Sequence, residues 1–346
     1  MTLLNPVYNT FSNSSSSLDK FLIDLDLSLN EAISRIDKPV LESAMFVASL
    51  SGKRFRPTLC FLSGYPEADY QDLIDVSVII ELVHIASLVH DDVLDRSEFR
   101  RNQTTIHRKI GINDAILLGD ALFSFALELS TQFEQNLVCK IVSNATRKTC
   151  SGEIAQNSFI GNFDISAEKY LQIISDKTGC LFGASCKLGG VLSHSDSLQQ
   201  QILEEIGLSL GVNYQLYDDI YDAFGVENVA GKSLGTDFLY HKPTLPVIML
   251  LAEAANNDHE QITKLLSLPN KTDKDITLIS NFLREYGILN KCVNYFNSRF
   301  EKTNLLVNSL SNSTIKGNLF DFIDSFASKV SIINELKHSN FLAVHS

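Results

Sequence analysis

Val76-Ser77-Val78-Ile79-Ile80-Glu81-Leu82-Val83-His84-Ile85-Ala86-Ser87-Leu88-Val89-His90 runs directly into Asp91-Asp92-Val93-Leu94-Asp95, and this stretch decides the fold. A helix that is apolar nearly all round is buried inside a large bundle. A second pentapeptide of the same pattern, Asp218-Asp219-Ile220-Tyr221-Asp222, lies far along the chain near the end of another long apolar-periodic segment. Each copy embeds three carboxylates where lone acids are costly to bury. Residues four apart share a helix face, so Asp91 pairs with Asp95 and Asp218 with Asp222. Two such faces across one cavity would repel each other unless a cation sits between them. A hard divalent ion held by oxygen ligands answers that need, and magnesium bridging a phosphate is its commonest setting. Carboxylates at the end of a buried helix also imply a cavity with an ionic mouth and hydrocarbon walls, suited to a ligand with an ionic head and an apolar tail.

The rest of the chain agrees with a helical reading. Its 346 residues are 45% hydrophobic, with 17 glycines and 7 prolines, enough to bury a large core. Apolar residues recur at steps of three and four over 18–36, 68–93, 112–129 and 198–224. No alternating strand pattern with hairpin turns is evident. The breaks are short, at 51–52, 64–66, 161–162, 193–197 and 225–246, and 255–275 reads as exposed connections. Many helices on short loops predict an all-α bundle forming one domain over 1–346, with 1–17 flexible and further helices after 276.

The formal charge of −12 argues against nucleic acid as a partner. Six cysteines (60, 139, 150, 180, 186 and 292) have neither CxxC pairing nor metal-ligand spacing, and read as free thiols of a reducing compartment. The sequence offers no integral membrane segment on the scale of the ~20 residues needed to span a bilayer. The Ser- and Asn-rich start has no Lys or Arg before Lys20 and so lacks a basic targeting region. Together these features predict a cytoplasmic protein, or one of another soluble reducing compartment.

Basic residues surround the acidic motifs in order. Arg100 and Arg101 follow the first pentapeptide, and arginine forks match phosphate oxygens. Ser51-Gly52-Lys53-Arg54-Phe55-Arg56-Pro57 puts a glycine turn and a basic patch at a helix start, a plausible diphosphate cradle. His84 lies two helical turns before Asp91 on the same face. Lys177-Thr178, Tyr214-Gln215, Lys232, Asp237 and Lys242 come later. Each taken alone fits a solvated surface residue or a packing hydrogen bond; the joint order and spacing carry the reading.

That order, GKRxRP, then HxxxxxxDDxxDxxxxRR, KT and YQxxDDxxD with trailing lysines, resembles the trans-isoprenyl diphosphate synthase family over roughly residues 50–250. The resemblance implies an all-α isoprenoid-synthase bundle around a deep central cavity. It implies a prenyltransferase that joins an allylic prenyl diphosphate to isopentenyl diphosphate, with Mg²⁺ as cofactor and a homodimer as the assembly. Asp91, Asp95 and Asp218 would hold the metal, Asp92 and Asp222 would be further ligands or supports behind them, and Asp219 would belong to the same catalytic set. Arg100, Lys177, Lys232 and Lys242 would contact the allylic diphosphate, and Lys53, Arg56, His84 and Arg101 isopentenyl diphosphate. Thr178 and Gln215 would turn oxygen dipoles toward the forming cation. The chain departs from the family pattern at Ser51, at Arg100-Arg101-Asn102-Gln103-Thr104-Thr105, and at His241, where glycine usually precedes the lysine. These changes alter loop stiffness more than charge.

Product length in the family depends on what blocks the cavity below the first motif. Ala86 and Ser87, about one turn before Asp91, are small where a farnesyl-type enzyme carries an aromatic ring. Phe123 and Phe125 would set a lower stop. A long-chain polyprenyl diphosphate synthase is therefore expected. Geranylgeranyl diphosphate synthase is the alternative, and a non-catalytic subunit of a heteromeric synthase is a third reading that the intact motifs disfavour.

Overall fold

The computed structural model describes residues 15–50, 52–101, 103–225 and 235–335. The helices are α1 (Ser15–Ser34), α2 (Lys38–Ser49), α3 (Phe55–Gly64), α4 (Tyr70–Leu94), α5 (Ile106–Ile110), α6 (Ile112–Ser130), α7 (Leu137–Ser158), α8 (Ala167–Ile174), α9 (Cys180–Leu192), α10 (Ser197–Phe224), α11 (Thr236–Leu239), α12 (Leu245–Glu253), α13 (Asn256–Leu266), α14 (Asp273–Glu285), α15 (Ile288–Asn308) and α16 (Ser313–Glu335). A π-helical turn, Ser175–Gly179, joins α8 to α9. The all-α expectation holds, and the four periodic stretches correspond to α1, α4, α6 and α10.

Two details differ from the sequence reading. A two-stranded antiparallel ribbon is present, β1 (Phe99–Arg100) against β2 (Gln103–Thr104). Two residues per strand are too few to show an alternation. The supposed connection at 255–275 contains α13, which buries only Ile262 and Leu266 and so lacks a strong apolar stripe. Thr272 and Asp275 then form a reciprocal capping box that starts α14.

The described residues form two compact units. The first contains the chain up to Arg147, Leu181–Gly207 and Leu306–Phe322. Its axis is α4, against which α1, α3 and α6 pack. Fourteen α4 residues are buried, including Leu73, Ile79, Leu82 and Val89. By length and composition α4 could cross a bilayer, a longer apolar run than the sequence reading allowed, but 72% of its most apolar window is buried in protein. It is a core helix. The second unit contains Lys148–Cys180, Leu208–Leu305 and the chain from Ile323. Phe296, Phe300 and Phe326 pack ring against ring in it. Ser209 and Asn213 of α10 meet the Thr303 hydroxyl of α15 in the interior. All six cysteines are free thiols, as expected.

Asp69 starts α4 by accepting hydrogen bonds from Gln71 N (2.8 Å) and Asp72 N (3.1 Å). Removing such a cap costs about 1 kcal/mol. Asp69→Ala should lower stability by that amount in urea unfolding and leave turnover unchanged.

Candidate active site

In the first unit the acidic motif coincides with the C-terminus of α4. The helix stops because Arg96 turns left-handed (φ 51°), with Arg96 N bonding Val93 O at 3.2 Å and Ser97 N bonding Asp92 O at 3.0 Å. This end carries the negative pole of the helix dipole, so Asp91, Asp92 and Asp95 stand where anions are least favoured. Asp92 is 4% exposed, and its carboxylate is forked by Arg100, with Nε at 2.9 and 3.0 Å and Nη2 at 2.8 Å. The short ribbon brings Arg100 back onto the helix end. Asp91 and Asp95 remain partly exposed.

Exposure along α4 follows the helical repeat. His84, Ser87, Leu88, Asp91 and Asp95 are all partly exposed at spacings of one, three or four residues and line one strip. Ala86 is fully buried and lies off that strip. On α6, Phe123 stacks obliquely on His90 (ring centroids 5.7 Å apart), and Phe125 is half-buried. The His90 ring also reaches Ile116 O at 3.0 Å and Asp120 Oδ1 at 3.6 Å.

Lys53, Arg56 and Arg101 of this unit have distinct settings. Arg56 lies over the Phe182 ring at 4.6 Å, and Lys53 is exposed with Nζ 5.7 Å from the Phe55 ring. Arg101, left-handed at φ 51°, reaches back to Leu50 O at 2.9 Å and fills the space beside Gly52. His84 has a buried Nδ1 with no hydrogen-bond partner among the described residues. Burial, then the charges of Arg56, Arg100, Arg101 and Arg54, hold its pKa well below the usual histidine range. The positive field of these arginines disfavours a charged imidazole and favours an anion.

In the second unit the second motif occupies the last turns of α10. Asp218 shares a partly exposed strip with Tyr214, Tyr217 and Tyr221. Asp219 points inward, accepting from the Tyr170 hydroxyl and from Gln215 Nε2 at 2.8 Å. The Gln215 amide oxygen in turn accepts from the Thr178 hydroxyl at 2.9 Å. Asp222 does not share the accessible surface of Asp218: it is 5% exposed and accepts from Thr236 Oγ1 (2.9 Å) and Asp237 N (3.0 Å). The start of α11 covers it.

Lys177 and Thr178 sit on the π-helical turn, where Lys177 forms a 2.6 Å ion pair with Glu153 of α7. The two segments touch so closely that a Cβ on Gly152 would lie 2.3 Å from Lys177 N. Tyr170, Lys177, Gln215, Asp219, Asp237 and Lys242 line one cavity. Lys242 Nζ is 5.8 Å from the Tyr240 ring, and His241 beside it is left-handed at φ 55°. A left-handed residue explains why glycine is usual at that position. Lys232 lies outside the described residues.

Sequence reasoning assigned no role to Tyr170, Glu153 or Thr236. Glu153 stood beside a glycine in a polar run, but Tyr170 and Thr236 carried no signal, since their importance comes only from what they touch.

The carboxylates of the second unit are overloaded with negative charge. Burial pushes Asp219 up to about 6, against the pull of its Tyr170 and Gln215 hydrogen bonds. Burial and then the charges of Asp219 and Asp222 lift Asp237 well above the usual range, opposed by Lys242. An all-oxygen donor set under that strain fits a hard divalent cation. Among the described residues no three His, Cys, Asp or Glu side chains gather as a complete metal cage. Magnesium needs none, because it keeps waters and takes substrate phosphate oxygens.

Comparison with known proteins agrees with this chemistry. Residues 38–283 match the family model described as polyprenyl synthetase. The chain is 34% identical over 251 residues to heptaprenyl diphosphate synthase component 2 of Bacillus subtilis, covering 69% of this chain and 72% of that one. It is 32% identical over 255 residues to a short chain isoprenyl diphosphate synthase of Methanothermobacter thermautotrophicus, covering 72% and 78%. Its fold matches the crystal structure of a polyprenyl synthase from Caulobacter crescentus complexed with calcium and isoprenyl diphosphate. That match has a TM-score of 0.80 at 27% identity and covers 92% of this chain and 99% of that one.

The surroundings of His84 make a direct prediction. Its imidazole should titrate below the ordinary histidine range in the free protein. It should move upward when inorganic diphosphate is added, because an anion offsets the arginines that oppose its protonation; histidine-selective NMR titration reads both values.

Proposed function

Because this chain belongs to the polyprenyl synthetase family of trans-prenyltransferases, we propose that Asp91, Asp95 and Asp218 are its magnesium ligands and that its elongation reaction yields long-chain products. The observation that supports the ligand set is the sorting of the six motif carboxylates. Asp92, Asp219 and Asp222 are buried and bound by Arg100, by Tyr170 with Gln215, and by Thr236 with the Asp237 amide. Asp91, Asp95 and Asp218 are the three that reach solvent.

In prenyl elongation the allylic carbon–oxygen bond breaks and diphosphate departs with the electron pair. The allylic cation alkylates the double bond of isopentenyl diphosphate, and a proton is lost to the departing diphosphate. Magnesium, when bound, supplies Lewis-acid charge to the diphosphate oxygens. Lys177, Lys232, Lys242 and Arg100 are the cations proposed for the allylic diphosphate, where fixed positive charge favours the ionised state over the ground state. Lys177 would exchange or share its Glu153 partner on substrate binding, and Arg100 would act mainly by holding Asp92. Lys53, Arg56, His84 and Arg101 are proposed for isopentenyl diphosphate. The Thr178 hydroxyl oxygen, aligned through Gln215, would present a lone pair to the cation.

For product length, Ser87 is the proposed determinant, with Ala86 behind it. Ser87 shares the accessible strip with Asp91, and no aromatic residue occupies that strip between His84 and Asp95. Phe123 is the proposed lower stop. A homodimer acting in a soluble, reducing compartment completes the reading, consistent with six free thiols. The relative named as component 2 of a synthase favours a second reading, a chain that needs another subunit for turnover.

Asp91→Ala and Asp218→Ala should each reduce kcat by at least about a hundredfold, the scale of losing a main electrostatic stabiliser. Their melting temperatures should stay level or rise, because each relieves clustered negative charge; a parallel fall in stability would point to a structural role. The purified chain with Mg²⁺, farnesyl diphosphate and isopentenyl diphosphate should give products longer than farnesyl. Termination at farnesyl would sink the long-chain reading, and no turnover from the single chain would favour the two-component one.

A further inference from the structure

Lys53-Arg54-Phe55-Arg56 holds three cations in four residues, and their surroundings divide them. Lys53 is exposed and Arg56 rests on the Phe182 ring. Arg54 is different. Its side chain is 9% exposed, and its guanidinium bridges two helices. Nη1 donates to Glu81 Oε1 at 2.5 Å, while Nε and Nη2 donate to Asp26 Oδ1 at 3.1 and 2.7 Å. Glu81 belongs to α4 and its side chain is 2% exposed; Asp26 belongs to α1 and is 55% exposed.

Two features make this contact more than a fold-stabilising pair. Arg54 is the residue before the first turn of α3 and takes a left-handed backbone (φ 51°), with its carbonyl accepting the α3 bond from Thr58 N at 2.9 Å. An arginine in that conformation persists only where its surroundings hold it, and the turn it makes sets Lys53 relative to Arg56. Glu81 also lies three residues before His84, the neighbouring position on one face of α4. The ion pair therefore registers the basic turn against the strip that carries His84 and Asp91. Arg54 cannot turn to an anionic substrate without leaving the Glu81 carboxylate uncompensated inside an apolar helix.

We propose that Arg54 is a positioning residue for isopentenyl diphosphate. Clamped by Glu81 and Asp26, it fixes the turn from which Lys53 and Arg56 bind that diphosphate. The second anchor comes from α1, which lies before residues 38–283 and so outside the part of the chain that matches the family. The proposal rests on the reading that Lys53 and Arg56 bind isopentenyl diphosphate.

The test is steady-state kinetics of the full chain, varying each diphosphate with the other saturating. Asp26 is the useful site, because its exposure lets Asp26→Asn fold where Glu81→Gln could fail to. Asp26→Asn should raise KM for isopentenyl diphosphate about threefold, the scale of a partly exposed charged contact. The allylic KM and kcat should stay unchanged, and Asp26→Glu should restore the parent value. Glu81→Gln, if folded, should raise the same KM by about tenfold or more, since small misplacements of binding groups are costly. A lower KM for isopentenyl diphosphate in Asp26→Asn would mean that Arg54, once released, binds substrate itself, and would overturn the proposal. Equal changes in both KM values, or a fall in melting temperature alone, would overturn it too. Lys53→Met separates the two levels. If it leaves KM for isopentenyl diphosphate unchanged, the assignment of the diphosphate site fails and the proposal with it; if it raises KM while Asp26→Asn does not, the positioning role alone fails.

Discussion

The cost of placing carboxylates at the ends of apolar helices governs this protein. An acid in such a setting must be paired, hydrogen-bonded or neutralised. Six motif aspartates pose that problem on α4 and α10, and at α4 the helix dipole adds to it. Much of the local architecture is an answer. The two-residue ribbon returns Arg100 to Asp92, α11 starts over Asp222, and Tyr170 of α8 reaches Asp219. These contacts consume one half of the carboxylates and leave the other half at the surface. That accessible half is the one proposed to meet a cation and its diphosphate.

The same economy of partners shapes the cationic residues. A run of arginines and lysines looks uniform in charge but is not uniform in availability. Arg54 is engaged by two carboxylates and Lys177 by Glu153, whereas Lys53 is open to solvent. Breaking a buried pair such as Arg54–Glu81 by removing one partner leaves the other charge uncompensated. His84 is the complement: its buried Nδ1 has no hydrogen-bond partner among the described residues, and four arginines oppose its protonation. Their settings, and not their residue types, tell these side chains apart.

Several features were readable from the chain itself. Apolar residues at steps of three and four place α1, α4, α6 and α10, because burial on one side of a 3.6-residue helix leaves that trace. The spacing of the two acidic motifs and the order of the basic residues identify the chemistry, since diphosphate handling needs oxygen ligands and cations together. The ribbon at 99–104 and the helix α13 were not readable. Two-residue strands show no period, and α13 buries only two side chains.

What the sequence determined by itself is the inventory: an all-helical chain, two aspartate triplets at helix ends, and enough fixed cations to hold diphosphates. Only the tertiary structure decided which members of that inventory are spent on one another. Asp218 and Asp222 share a helix face by spacing, yet one meets solvent and the other lies under Thr236 and Asp237. Ala86 and Ser87 are equally small neighbours, yet Ser87 alone shares the strip with Asp91. Helical periodicity fixes direction around an axis, but burial depends on which other segment arrives there. That arrival is a long-range packing event that no local pattern encodes.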